Sequence, residues 1–491
     1  DTFATQAEAA LENPDTGKET LNSIRANAED WRRLFSSAQG INGPRIQSVK
    51  DQIATLGPAP AEGQTEADDI AARRKALNDQ LSDLQAPGVA ATEALSRASS
   101  IVTQADTEIS MREADEILTS SPSPLLPASW ISAGKDVTEI ARGVMSDAHA
   151  NLSGAELRKN LPRAIAYLLA ALLVLSFGRR FVDSLPARLG ARSDGEARPV
   201  LAFVVSLGQI ALPMAGMSLL AWGLDATGLF GKWATPFLLA LPYAAFAFFS
   251  GRWLVRTLFA ATPVAYPTLN LPAAKRAAAR LYGTGLSVRL AIDVILANAA
   301  LPLSGFVRGD DALPMIPYDV STGGAGVIHL LLLLATGFFL FPLASILRRM
   351  VRFDGTDAPP YRARVLAIYG AYLRVLVILT LILTLIGFVN VANALLWPSI
   401  KSLGLIGLLI LLQDFIADLY VLLRRGKEGA REALAPLLGG IFLVVGSVPV
   451  FALIWGSSPA DLATGWSKIM GGVSLGGIRV SPGGILTFAV V

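Results

Sequence analysis

The chain has 491 residues, 52% of them hydrophobic and only 16% charged, with a mean hydropathy of +0.49. That balance excludes an ordinary soluble protein and points to a polytopic membrane protein. The absence of cysteine excludes disulfides, thiolate metal sites and thiol nucleophiles, and a formal charge of +3, with its basic residues at helix ends, gives no support to nucleic-acid binding.

Residues 1–150 are polar and acidic, holding 13 Lys and Arg against 23 Asp and Glu. Apolar residues recur there at three- and four-residue spacing: Leu21, Ile24, Ala28 and Trp31; Ile46, Val49 and Ile53; Ile70, Leu77, Leu81 and Leu84; Leu95, Ala98, Val102, Ala105 and Ile109. Turn-forming clusters at Gly40–Pro44, Gly57–Gly63, Pro87-Gly88 and Ser120–Pro127 predict four or five amphipathic helices in a bundle or coiled-coil-like hairpins. We expect this segment to be a spacer or interaction domain outside the membrane. The chain opens on Asp1, and an exported domain of this kind implies a cleaved leader upstream.

Eight apolar stretches follow, at 163–178, 199–224, 234–256, 281–303, 325–347, 365–389, 397–423 and 435–456, each near the roughly 20 residues needed to cross a bilayer. The predicted fold class is all-α: eight complete transmembrane helices, the first six spanning 151–395 and the last two in 396–491. One set of alternating connections, from Arg179–Arg198 to Arg424–Arg431, carries 19 Lys and Arg, and the other carries only Lys232, Arg308, Lys468 and Arg479. The positive-inside rule places the first set in the cytoplasm and the amino-terminal domain in the periplasm, as in a bacterial inner-membrane protein. Arg158, Lys159 and Arg163 dissent, since they precede the first span on the outer side.

Several charges fall inside these stretches. Arg289 and Asp293 share one face of the fourth, Arg374 lies in the sixth, and Asp414 and Asp418 lie near the end of the seventh. Arg289 and Asp293 suit an ion pair that locks the helix, with a voltage or ion pathway and a pairing with Arg374 as alternatives. Arg374 could also extend its stem towards the cytoplasmic interface. The two aspartates suit the balancing of Arg424 and Arg425 better than cation binding. His149 and His329 are isolated, so no metal site or cofactor is expected, and no enzymatic motif is present.

At the carboxyl end Leu462, Trp466, Ile469 and Val473 fit one face of a short interfacial helix, and Gly471, Gly472, Gly476 and Gly477 a pliable connection. Ser481 and Pro482 then read as the N-cap and first turn of a ninth helix, followed by Gly483, Gly484 and apolar residues broken only by Thr487. From Gly483 to Val491 that helix would rise ~13 Å, under half of the ~30 Å hydrocarbon core, so we expect it to continue past Val491.

This glycine-rich approach followed by Ile-Arg-Val-Ser-Pro-Gly-Gly-Ile-Leu resembles the entry to the pore-lining helix of the small-conductance mechanosensitive (MscS-like) channel family. The likeness is closest to its large members with extra membrane helices and a periplasmic helical domain. It covers roughly Trp466 to Val491. The resemblance implies a homo-heptamer, membrane lipids as partners, and tension-driven release of ions and small solutes on osmotic downshock. A secondary transporter and a non-conducting scaffold are the alternatives from other classes.

Overall fold

The structure is a computed structural model. It describes residues 2–14, 16–40, 42–58, 67–152, 155–178, 195, 197–260, 269, 271–301, 313–354, 361–427, 429–457, 462, 465–466, 473–475 and 478–480. The chain divides into two compact units, Asp1–Glu116 and Ile117–Val491. Residues 117–150, grouped with the amino-terminal segment in the sequence reading, therefore fall in the second unit.

The first unit is built from α1 (Thr2–Glu12), α2 (Lys18–Ala38), α3 (Gly43–Thr55) and α4, which starts at Asp68 and ends at Leu118. Its core is small and alanine-rich: Ala7 of α1, Ile24 and Ala28 of α2, and Ile101 and Val102 of α4. Alanines at these positions let three helix backbones approach closely. Glu8 accepts both of its 2.8 Å hydrogen bonds from Arg97, and Arg25 meets Asp106 at 2.6 Å. The Arg97 guanidinium holds the Glu8 carboxyl below the usual carboxylate range. The expected break at Pro87-Gly88 does not occur, because α4 runs through Pro87. A proline removes one ladder hydrogen bond, and a long, partly exposed helix can accommodate that loss.

The second unit is a helical assembly. Helix α5 (Pro127–Asn151) precedes α6 (Ala155–Leu173, continued by a π-turn to Gly178), α7 (Ala197–Ser206), α8 (Gly208–Ala226), α9 (Thr235–Leu258) and α10 (Ala273–Ala299). Next come α11 (Thr322–Arg348), the short α12 (Met350–Asp354), α13 (Tyr361–Leu385), α14 (Val389–Leu423) and α15 (Leu434–Ile454). Among the described residues seven stretches are long and apolar enough to cross a membrane: α6 with its π-turn, α7–α8 together, α9, α11, α13, α14 and α15. The chain is thus a multi-pass membrane protein by length and composition. The remaining predicted span lies on α10, whose Arg289 and Asp293 dilute an otherwise apolar run.

Two boundaries differ from the sequence reading. Gly387, at φ +100°, separates α13 from α14, so α14 starts eight residues earlier than expected, and the 395/396 division falls inside it. A side chain at Gly387 would also sit 2.4 Å from the Ser121 carbonyl, which explains why glycine punctuates an unbroken apolar run. Val473 belongs not to a helix but to a strand: Val473–Leu475 pairs antiparallel with Ile478–Val480, in register Val473↔Val480. Val-Ser-Leu and Ile-Arg-Val alternate around two glycines, which is a two-residue hairpin signal. The described residues are helical apart from this hairpin and the connections.

Helix α11 is the centre of the second unit. It packs on α10, α13 and α5, and its Leu340, Leu343 and Leu347 enter a core with Leu286, Leu373, Leu376, Leu396 and Ile400. Gly370 of α13 lets the two backbones touch: an added Cβ would lie 2.6 Å from the Arg348 nitrogen and 2.7 Å from the Ala344 oxygen. Small residues at such crossings are how membrane helices gain packing energy.

Candidate functional site: a buried polar cluster

Arg289 and Asp293 are one turn apart on α10 and both only 3% exposed. Their ion pair closes at 2.9 Å. Arg289 also reaches two other helices. Its Nε donates to the Leu332 carbonyl of α11 at 3.0 Å, and its guanidinium carbon lies 5.1 Å from the Trp397 ring centre of α14. The Leu332 carbonyl accepts a second bond from the buried Thr336 hydroxyl at 2.8 Å. One turn back on α11, buried His329 meets Asn393 of α14 at 3.3 Å (Nδ1 to Nδ2). Lys401, two turns on from Asn393 along α14, lies within electrostatic reach of Asp293. The cluster therefore joins α10, α11 and α14. The Asn393 Oδ1 and Trp397 Nε1 atoms are buried without a hydrogen-bond partner among the described residues.

This arrangement holds the one carboxylate against a guanidinium of its own helix. A cation carrier needs free anionic ligands at such a depth, whereas the Asp293 carboxylate is already paired with Arg289. The geometry therefore favours a three-helix lock over a transport site. His329, isolated in the sequence, belongs to this lock. Asn393, Trp397 and Lys401 share one face of α14 at four-residue spacing, a signal the sequence reading passed over because each stands alone among apolar residues.

Arg374 is not brought to this pair. Its guanidinium lies 4.8 Å from the Phe341 ring of α11, and its Nε has no hydrogen-bond partner among the described residues. Asp414 and Asp418 do balance basic residues, but among the described residues these are Arg362 and Arg431 rather than Arg424 and Arg425. Asp414 meets Arg362 at 3.1 Å and Arg431 at 3.8 Å, and Asp418 pairs with Arg431. Arg424 turns back instead to the Tyr420 hydroxyl, at 3.1 Å. These pairs tie α13, α14 and the 3-10 turn Ala430–Glu432 together at one end of the bundle. Trp466 is 61% exposed. Gly471, Gly472, Gly476, Gly477, Ser481, Pro482, Gly483, Gly484 and Thr487 lie outside the described residues.

A second buried carboxylate was not anticipated. Asp136 of α5 is 2% exposed and accepts the Tyr318 hydroxyl at 2.6 Å, the Ser321 hydroxyl at 2.6 Å and the Ser321 N–H at 3.2 Å. Ser321 in turn caps α11 by accepting the Gly324 N–H at 3.1 Å. A negative charge at a helix N-terminus is favourable, and Gly324 leaves the room for it: its Cβ would fall 2.0 Å from Asp136 Oδ2. The bond to Asp136 raises the Tyr318 phenol above its ordinary pKa. Further along α5, Asp147 accepts the Trp233 N–H at 3.2 Å; just before α5, Ser123 donates to Leu385 at the end of α13. Helix α5 and its approach thus cross the α8–α9 connection, the start of α11 and the α13–α14 turn, gathering these three ends on one side.

Comparison with protein-family models, with characterised proteins and with solved structures returned no match for this chain.

Proposed function

We propose that the chain is a subunit of a tension-gated ion channel of the bacterial inner membrane, with eight spans complete, counting α10, and a ninth beginning at Ser481. The observation that carries this reading is α15. Its mean hydropathy is 2.5, yet only 6% of its most apolar stretch is buried, and it packs chiefly on α14. A helix so placed, just before the pore-entry sequence, suits a position where lipid and neighbouring copies supply the missing contacts. Bilayer tension would favour the conformation of larger in-plane area and move the glycine-flanked ninth helix through α14 and α15.

The proposed orientation draws support from α5. The three ends it gathers belong to the connections poor in Lys and Arg, whereas Arg362, Arg424 and Arg431 cluster at the other end of the bundle. Reporter fusions at Gly88 and Gly426 should score outside and inside respectively; both on one side would overturn this topology. The channel itself is tested by patch recording from membranes containing the full chain. Suction at constant voltage should open it, and bulky residues at Gly483 and Gly484 should shift the tension required while assembly persists. A ring that assembles but stays silent up to lytic tension leaves the scaffold in its place.

A further inference from the structure

Helices α6 and α8 pack along a seam of small residues. A Cβ on Gly216 would meet the Leu175 side chain at 2.7 Å, and one on Gly223 would meet Leu168 at 3.0 Å and Tyr167 at 3.1 Å. Beyond Gly223 the two helices part around a cavity of about 500 Å³, lined by Asn160, Arg163, Tyr167, Trp222, Asp225 and Ala226. Both helices are candidate membrane spans, and the cavity lies where one begins and the other ends, at the depth of lipid headgroups.

Two opposite charges line this cavity without pairing. The Arg163 guanidinium stacks 5.6 Å from the Tyr167 ring centre and has no carboxylate partner among the described residues. The Asp225 carboxylate accepts the Thr235 hydroxyl, at 3.4 Å, and has no cationic partner among the described residues. The Tyr167 and Trp222 rings, which also line the cavity, meet edge to face at 6.4 Å, with Trp222 53% exposed. Below the cavity α6 exposes Leu169, Leu172, Leu173 and Phe177, an apolar strip suited to acyl chains.

We propose that this cavity binds the headgroup of a zwitterionic phospholipid bearing a primary amine, such as phosphatidylethanolamine. The phosphate would lie on Arg163, with Asn160 beside it, and the ammonium on Asp225 against the indole face of Trp222. A single headgroup then satisfies both unpaired charges, which an anionic or a purely cationic ligand cannot do. It also gives a use to Arg163, a basic residue on the side where the positive-inside rule disfavours one. The seam glycines set the separation of the two charge-bearing helices, so the site is built into the fold.

The test is native mass spectrometry of the full chain, released from nanodiscs holding equal parts of phosphatidylethanolamine, phosphatidylcholine and phosphatidylglycerol. Phosphatidylethanolamine should be retained roughly threefold to tenfold over phosphatidylcholine, whose quaternary amine donates no hydrogen bond. Asp225→Asn should erase that preference while total phospholipid retention holds, and Arg163→Gln should lower retention of all three. Both side chains are exposed, and an unchanged melting temperature for each variant confirms intact folding. Equal retention of the three lipids, a preference for phosphatidylglycerol, or a preference that survives Asp225→Asn would each overturn the proposal. Displacement of the lipid by free phosphoethanolamine at matched concentration would overturn the lipid as the ligand's source.

Discussion

The most apolar stretches of α11 and α15 are nearly equal, with mean hydropathies of 2.4 and 2.5, yet 44% of the first stretch and 6% of the second is buried within the chain. Apolar content therefore says that a helix enters a membrane, not what it touches there. The difference lies in the small and polar residues. Helix α11 carries Gly323 and Gly324 where α5 crosses, His329 and Thr336 within the polar cluster, and Gly370 of α13 presses against its end. In α15, among the described residues, a Cβ at Gly439 or Gly440 would meet side chains of α14, and one at Gly446 none within 4 Å. One helix is fitted to its own chain, and the other leaves most of its apolar face uncovered by the described residues.

This contrast can be broken most severely at the polar cluster. Arg289→Ala leaves Asp293 buried without its closest partner and should destabilise the purified protein by about 3–5 kcal/mol in a denaturant titration. Changing Arg289 and Asp293 together to Leu should cost much less, because no charge is then stranded. Equal loss of activity in both single variants and the double, with abundance intact, would contradict the lock and indicate a transport role.

Next in size is the α11–α13 crossing. Gly370→Ala directs a methyl group at backbone atoms that cannot rotate away, and should cost about 3 kcal/mol by the same titration. A neutral result would mean that the α11 backbone is not held against Gly370 as closely as the 2.6 Å from an added Cβ to the Arg348 nitrogen requires.

The Asp136 latch should matter less. Asp136→Asn keeps an acceptor but loses charge, and should cost about 1–3 kcal/mol. Since the Tyr318 phenol is raised above its unfolded value near 10, the stability it contributes is complete below about pH 10 and is lost as pH rises through the folded value. Tyr318→Phe should remove that alkaline dependence, seen as melting temperature against pH; an unchanged profile would exclude the latch as its source.

The smallest effect is expected on α15. Phe442 is 74% exposed, so Phe442→Ala should change the stability of the separated chain by no more than about 0.5 kcal/mol. A large loss there would mean that α15 is packed within the chain after all.

The sequence made the membrane class and most helix positions readable because twenty-residue apolar runs are a strong signal. It exposed Arg289 and Asp293 because two charges one turn apart stand out in such a run. It could not expose Asp136, whose burial is created by Ser321 and by the glycines of a helix almost two hundred residues away. Pro87 misled because a proline breaks a helix only where the lost hydrogen bond cannot be tolerated. Gly387 was passed over because it is one glycine among many in an apolar stretch, and its role depends on the positive φ and the nearby Ser121 carbonyl.

The central claim is that α15 completes its contacts with other copies of the chain around a pore. The native sequence has no cysteine, so a single Phe442→Cys variant provides a clean reporter. Membranes carrying it should be oxidised and resolved on non-reducing gels, with Cys introduced at the buried Leu340 as the control. Disulfide-linked dimers from Phe442→Cys and none from Leu340→Cys are the predicted result. Monomers alone from Phe442→Cys, and equally from single cysteines at Val445 and Val448, would place lipid rather than neighbouring copies around α15 and contradict the claim.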